Sequence, residues 1–197
     1  MSNTGQGKPG PPIRFRFPLW GIIPVAASAL PGVFLWSQLH PAPDLPSTLI
    51  GRPVSEFTLP PTTGRAEDFA TADLKGRVAL INIFASGCVP CRAEHPVIAQ
   101  LARSDVVAIY GINYKDKAAD ALAWLKELGD PYTRIEADTD GRVALEFGAY
   151  GVPETYVVGA DGIIAYRTVS PIAQATVDQT LLLQIRGLQR NAGKKNG

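Results

Sequence analysis

The stretch Val78–Phe84 (VALINIF) has one polar side chain, Asn82, in an otherwise continuous apolar run. Such near-continuous apolar character predicts a central strand covered on both faces. It leads directly into Ser86–Pro96 (SGCVPCRAEHP), which holds both cysteines of the chain. A buried strand that feeds a tight turn and then a helix puts Cys88 at the helix N-terminus, where unpaired N–H groups and the helix dipole favour a thiolate. Two cysteines cannot build a disulfide scaffold, and the chain clusters no partners for a four-ligand zinc site. They read as a working redox pair. Cys88 is the candidate attacker, its pKa lowered from roughly 8.5 towards neutrality, and Cys91, one turn further in, is the candidate resolving thiol.

The rest of the chain fits a domain built around that strand. At 197 residues and 46% hydrophobic content the chain is long enough for one well-buried domain. Val54–Leu59 predicts a short strand ended by Pro60 and Pro61, and Asp73–Gly76 a turn into the central strand. Cys88–Ala102 predicts a helix with Val97, Ile98 and Leu101 inward and Pro96 bending it. A second buried strand follows at Val106–Ile112, then a helix from the Asn113–Asp116 lead to Leu128 with Gly129 as its stop. Tyr132–Ala137 reads as a strand and Arg142–Phe147 as a short helix. Thr155–Val158 and Ile163–Val169 form a hairpin across Ala160-Asp161-Gly162. Ser170 as N-cap with Pro171 at the first helical position opens a closing helix, whose Val177, Leu181, Ile185 and Leu188 recur at helical spacing. This order predicts an α/β fold, a central mixed sheet flanked by helices, over residues 49–190, with a polar tail at 191–197.

The N-terminal part has a different character. Residues 1–18 predict a disordered cytoplasmic segment, rich at its start in Gly, Pro and small polar residues. No charge occurs from Leu19 to Leu39, about the roughly 20 residues a helix needs to cross a bilayer core, and Trp20 and Trp36 fall near its ends. With Arg14 and Arg16 before it, residues 19–39 predict a transmembrane anchor that places everything after His40 outside. A cleaved signal peptide ending at Ala27-Ser28-Ala29 is the alternative. Residues 40–48 read as a proline-rich linker. A net charge of +1 gives nucleic-acid binding no support.

A second motif, Gly151-Val152-Pro153-Glu154-Thr155, lies after the short helix and before the hairpin. With it, the chain resembles the thioredoxin-like superfamily and, within it, the DsbE/CcmG thiol:disulfide interchange proteins of cytochrome c maturation. The matching stretches are Leu49–Pro53, Asp73–Gly76, Cys88–Pro96, Tyr110–Asp116 and Tyr150–Thr155. The resemblance implies a thiol:disulfide oxidoreductase of thioredoxin-like fold, anchored in the bacterial inner membrane with its domain in the periplasm. Its task would be to keep the haem-attachment cysteines of apocytochrome c, or a thiol partner, reduced, with electrons from a membrane dithiol donor. It further implies that Pro153 is cis and faces the cysteines, that Val152 offers backbone to an incoming peptide, and that Glu94 and Glu154 tune the thiol pair and partner choice. Solvated surface charge is the plain alternative for these carboxylates. No cofactor is implied beyond the redox disulfide Cys88–Cys91, and no metal. The family usually has Trp before the first cysteine, where this chain has Gly87.

Other functions use the same residues. Cys88, Cys91 and His95 form a C-x-x-C-x-x-x-H run that would suit a copper chaperone. A peroxidase would need a Thr or Ser and an Arg placed to bind peroxide, which are not visible around the pair. A general periplasmic disulfide reductase shares all the chemistry and differs in client.

Overall fold

The computed structural model describes Gly32 and residues 49–62 and 68–195. The expected disordered segment, anchor and most of the linker therefore lie outside the described residues. Among those that are described, no helix is long and apolar enough to cross a membrane.

The domain is organised on a five-stranded sheet: β3 (Ala79–Phe84), β4 (Ala108–Tyr114), β5 (Arg134–Asp138), β6 (Glu154–Val158) and β7 (Ile164–Thr168), in the order β5-β4-β3-β6-β7. A small hairpin-like pair precedes it, β1 (Thr58–Leu59) and β2 (Phe69–Ala70), antiparallel to each other. β3 lies in the centre and is buried throughout, as its apolar run predicts. It pairs parallel with β4 and antiparallel with β6, so the sheet is mixed.

Side chains alternate along each strand, so the two sheet faces feed two cores. On one face Leu80, Phe84, Ile109, Ile135 and Val157 pack under helices α1 (Val89–Arg103) and α2 (Ala118–Leu128) and the C-terminal helix. On the other, Ile81, Ile83, Ile112 and Tyr156 pack with Phe57, Phe69 and the short helix α3 (Arg142–Glu146). Phe69 stacks on Tyr110 at 4.6 Å between ring centroids. Each fully buried large side chain stabilises the fold by about 1.5–3 kcal/mol, so this central strand is the dominant local contribution.

The strand expected over Val54–Leu59 is confined to Thr58–Leu59, the one expected over Val106–Ile112 runs from Ala108 to Tyr114, and the closing helix differs at both ends. The C-terminal helix does not begin at Ser170-Pro171: α4 (Gln174–Thr176) starts with Ala173 as N-cap, passes through a π-helical turn at Val177–Leu181 and continues as α5 (Leu182–Lys195). The cause is Ile172, whose side chain is buried and whose N–H is held by Glu94, so the helix starts three residues later. The helix also runs through Lys195, well into the polar stretch expected to be a tail.

Candidate redox site

The end of β3 delivers the chain to the site. After Phe84 the backbone turns, with the Cys88 N–H bonded to Ala85 O at 3.2 Å, and α1 begins at Val89 with Cys88 as its N-cap. Pro90 occupies the first turn, where its missing N–H costs nothing. Cys88 and Cys91 are joined as a disulfide. The Cys91 N–H donates to Cys88 Sγ at 3.1 Å, so a free helix-terminal donor already points at the outer sulfur. Cys88 is partly exposed, Cys91 is 1% exposed, and their expected division into outer and inner sulfur follows from this difference.

The turn before Cys88 is tied down by a residue that sequence reasoning did not single out. Asp116 accepts from the Ser86 N–H at 2.6 Å and hydroxyl at 3.0 Å, and from Asn113 Nδ2 at 2.9 Å. Burial raises the Asp116 pKa, but these bonds and one from the Lys117 N–H outweigh it and hold the carboxyl below 3.8. Gly87, in the middle of the turn, is exposed, and a Cβ added there would meet nothing within 4 Å. A Cβ can therefore be added at this position without a clash.

Three residues beyond Cys91 on the same buried helix face stands Glu94, 2% exposed. It is no solvated surface charge. Its Oε1 accepts from Asn82 Nδ2 and its Oε2 from the Ile172 N–H, both at 2.9 Å. The Asn82 amide is oriented in turn by Tyr132, whose hydroxyl donates to Asn82 Oδ1 at 2.7 Å, while Asn82 Nδ2 also reaches Thr155 Oγ1 at 3.1 Å. Burial, against the lowering effect of both hydrogen bonds, pushes the Glu94 pKa up to about 7. Tyr132 is pushed well above its ordinary 10 by burial and by the charge of Glu94, which keeps its hydroxyl a donor. The one polar residue in the apolar run, Asn82, is the signal in the sequence that this network existed.

His95 does not join the cysteines. It is buried with its ring 4.4 Å from that of Trp124, and its Nε2–H donates to Gly129 O at 2.8 Å. Burial lowers its pKa, favouring the neutral ring. Among the described residues no three His, Cys, Asp or Glu side chains are grouped to hold a metal ion, so Cys88, Cys91 and His95 are not brought together as the copper reading requires.

The second motif arrives at the same end of the sheet. The β3–β6 ladder ends with Ile83 opposite Glu154, so Val152 and Pro153 continue β6 past the last pair, beside the chain that leads from Phe84 to Cys88. The Val152–Pro153 peptide bond is cis. Val152 and Cys88 both pack at the margin of the same core. Glu154, by contrast, turns to the opposite sheet face from Glu94. It is 2% exposed, ion-paired with Arg167 at 2.8 Å, and accepts from the Tyr150 N–H at 2.7 Å and the Tyr156 hydroxyl at 2.6 Å. Its partners are the loop before Pro153 and β7, and the dithiol lies across the sheet. Arg167 also escaped the sequence reading, because nothing in its local context marks a buried guanidinium.

A disulfide at the start of a helix, on a mixed sheet whose neighbouring strand begins with a cis-proline loop, defines a thioredoxin-fold thiol:disulfide oxidoreductase. The Redoxin family model matches residues 49–181, and the thiol:disulfide interchange protein DsbE of Pseudomonas aeruginosa is 44% identical over 154 residues, 78% of this chain and 85% of that protein. The chain belongs to the Redoxin family, among the DsbE thiol:disulfide interchange proteins. The DsbE of Escherichia coli is 39% identical over 146 residues, 71% of this chain and 78% of that protein. A crystal structure of a DsbE thiol:disulfide interchange protein from Chlorobium tepidum shares the fold, with a TM-score of 0.61 at 22% identity over 71% of this chain and 99% of that one.

Proposed function

We propose that the protein is a membrane-anchored, periplasmic reductant of cytochrome c maturation that keeps either the haem-attachment cysteines of apocytochrome c or a thiol partner reduced. The observation that carries this reading is the Cys88–Cys91 pair itself, with an outer sulfur at a helix N-terminus and a buried sulfur on a helix that also buries, three residues further on, a carboxyl of raised pKa. Kinship with thiol:disulfide interchange proteins supports the exchange chemistry, and the charge-free stretch at 19–39 supports the anchor.

In the reduced protein the Cys88 thiolate attacks one sulfur of a partner disulfide, forming an S–S bond and expelling the partner's other sulfur as a thiolate. The thiol of Cys91 then gives its proton to the Glu94 carboxylate and attacks Cys88 Sγ. The mixed disulfide breaks, and the partner's second sulfur leaves as a thiolate. Two electrons have passed to the partner, and Cys88–Cys91 is the disulfide seen here. The Cys91 N–H stabilises the Cys88 thiolate whenever that sulfur is the leaving group. A membrane dithiol donor restores the reduced state by the reverse sequence, and no dissociable cofactor is needed. Val152 and Pro153 form the wall against which the partner's chain lies.

The test is capture in vivo. Full-length Cys91→Ala protein should accumulate a mixed disulfide through Cys88 with apocytochrome c or a maturation thiol protein, in the membrane fraction. Trapping a broad range of periplasmic disulfide proteins instead would make it a general reductase. Recovery of the protein in the cytoplasm, with no trapped partner, would refute the proposal.

A further inference from the structure

Arg167 is an arginine at the wrong depth for a surface residue, 8% exposed in β7. Its Nε and Nη2 lie 3.0 and 2.8 Å from Glu154 Oε2, and Nη2 also donates to Gly148 O at 2.8 Å. Its Nη1 reaches the Tyr150 hydroxyl at 3.4 Å, and Cζ sits 4.6 Å from the centroid of the Tyr150 ring. Glu154 closes the circuit through the Tyr150 N–H. One ion pair thus holds a carbonyl, an amide and an aromatic ring of the segment that leads into Val152 and Pro153.

Beyond the packing of Ala149 and Val152 against the core, that segment has few backbone bonds to fix it. Residues 148–153 belong to no strand or helix; the Gly148 and Ala149 N–H groups tie its beginning back to Leu145 and Ala144, and the sheet ladder resumes only at Glu154. Tyr150 is nevertheless 78% exposed, with one side of its ring against the guanidinium. A flexible exposed tyrosine loses rotamer freedom when a partner binds; one already seated on a buried cation has lost it beforehand. Buried ion pairs add little net stability compared with apolar side chains of similar volume, and the best-attested gain from them is a fixed register.

We propose that Arg167 is the positioning residue of the partner-binding wall: it fixes the Tyr150–Pro153 segment in the shape that receives an extended, disulfide-bearing polypeptide, and so sets partner affinity and not dithiol reactivity. This rests on the reading of Val152 and Pro153 as that wall. The guanidinium acts through backbone and ring, and touches no reacting sulfur.

The test separates partner grip from sulfur chemistry in the full chain. The probe is a synthetic peptide closed by a C-x-x-C-H disulfide, reduced by the protein under steady-state conditions with dithiothreitol regenerating the dithiol and the uncatalysed rate subtracted; the control is the rate at which dithiothreitol reduces Cys88–Cys91. Arg167→Lys keeps a cation but cannot fork between Glu154 and Gly148, and losing one charge-assisted bond predicts a rise in KM of about tenfold. The accompanying change in kcat and in the dithiothreitol rate should stay within about twofold. Glu154→Gln, which retains an acceptor for Tyr150 but weakens the hold on Arg167, should raise KM in the same direction and guards against a failure of Arg167→Lys to fold. An unchanged KM in a folded variant overturns the inference, as does a parallel fall of peptide and dithiothreitol rates, which would mark a merely structural residue. Wild-type protein that is reduced normally by dithiothreitol but shows no saturation with the peptide would overturn the wall itself, and with it the role of Arg167.

Discussion

Replacing Glu94 by Gln isolates the ionisation of one buried carboxyl. Glu94 receives two neutral donors, Asn82 Nδ2 and the Ile172 N–H, and among the described residues no cation forms an ion pair with it. Burial therefore dominates and lifts its pKa from 4.5 to about 7. The sign follows from proton binding. Between these values the folded protein keeps a proton that the unfolded chain has released, so the contribution of this group to stability is fully present below 4.5 and is lost as pH rises through about 7. At about 1.4 kcal/mol per pH unit, the loss is about 3 kcal/mol. Gln has the same shape and never ionises. The unfolding free energy of Glu94→Gln relative to wild type should therefore shift in favour of the variant by about 3 kcal/mol between about pH 4 and about pH 8. Urea titrations of the two oxidised proteins at both pH values measure this directly, and all other titrating groups cancel in the difference. A difference that stays within about 1 kcal/mol at both pH values would show that the carboxyl ionises as in water, and would remove the proton acceptor from the mechanism.

Four other substitutions probe the site. Cys88→Ala should abolish exchange, while Cys91→Ala should still attack and then stall as a mixed disulfide visible on non-reducing gels; normal turnover by Cys91→Ala would reverse the assigned roles. Gly87→Ala, at a site where the new Cβ meets nothing within 4 Å, should stabilise the oxidised protein by about 0.4–1 kcal/mol through the unfolded chain, readable as a raised urea midpoint. Asp116→Ala removes the acceptor that pins the Ser86 N–H and should cost about 1 kcal/mol near neutral pH. Because hydrogen bonds hold the Asp116 pKa below 3.8, that cost should fade as pH falls below this range, and a cost independent of pH would show that ionised Asp116 does not hold the turn.

What could be read from the sequence was local. The apolar run of β3, the C-x-x-C pair directly after it and the helix that follows are all set by neighbours in the chain, and the structure places them as expected. The environment of Glu94 was not legible, since its partners come from 12 residues before and 78 after, brought together only by sheet register and by the extended chain at Ile172. The same extended chain explains the misplaced helix start. Ser170-Pro171 has good capping chemistry, yet burial of Ile172 and its bond to Glu94 prevail. Glu154 looked equivalent to Glu94 because both flank a motif. Strand alternation sends it to the other face, where Arg167 is waiting across the β6–β7 hairpin. A buried ion pair of this kind leaves no periodic signature in sequence.

The central claim is that Cys88–Cys91 carries two electrons to a cytochrome c precursor. It is tested most directly by mixing the reduced full-length protein with apocytochrome c whose haem-attachment cysteines are oxidised, and counting free thiols on each protein by mass after alkylation. Two thiols gained by apocytochrome c for each Cys88–Cys91 disulfide formed is the predicted result. Apocytochrome c that stays oxidised while Cys88 and Cys91 remain reduced would contradict it.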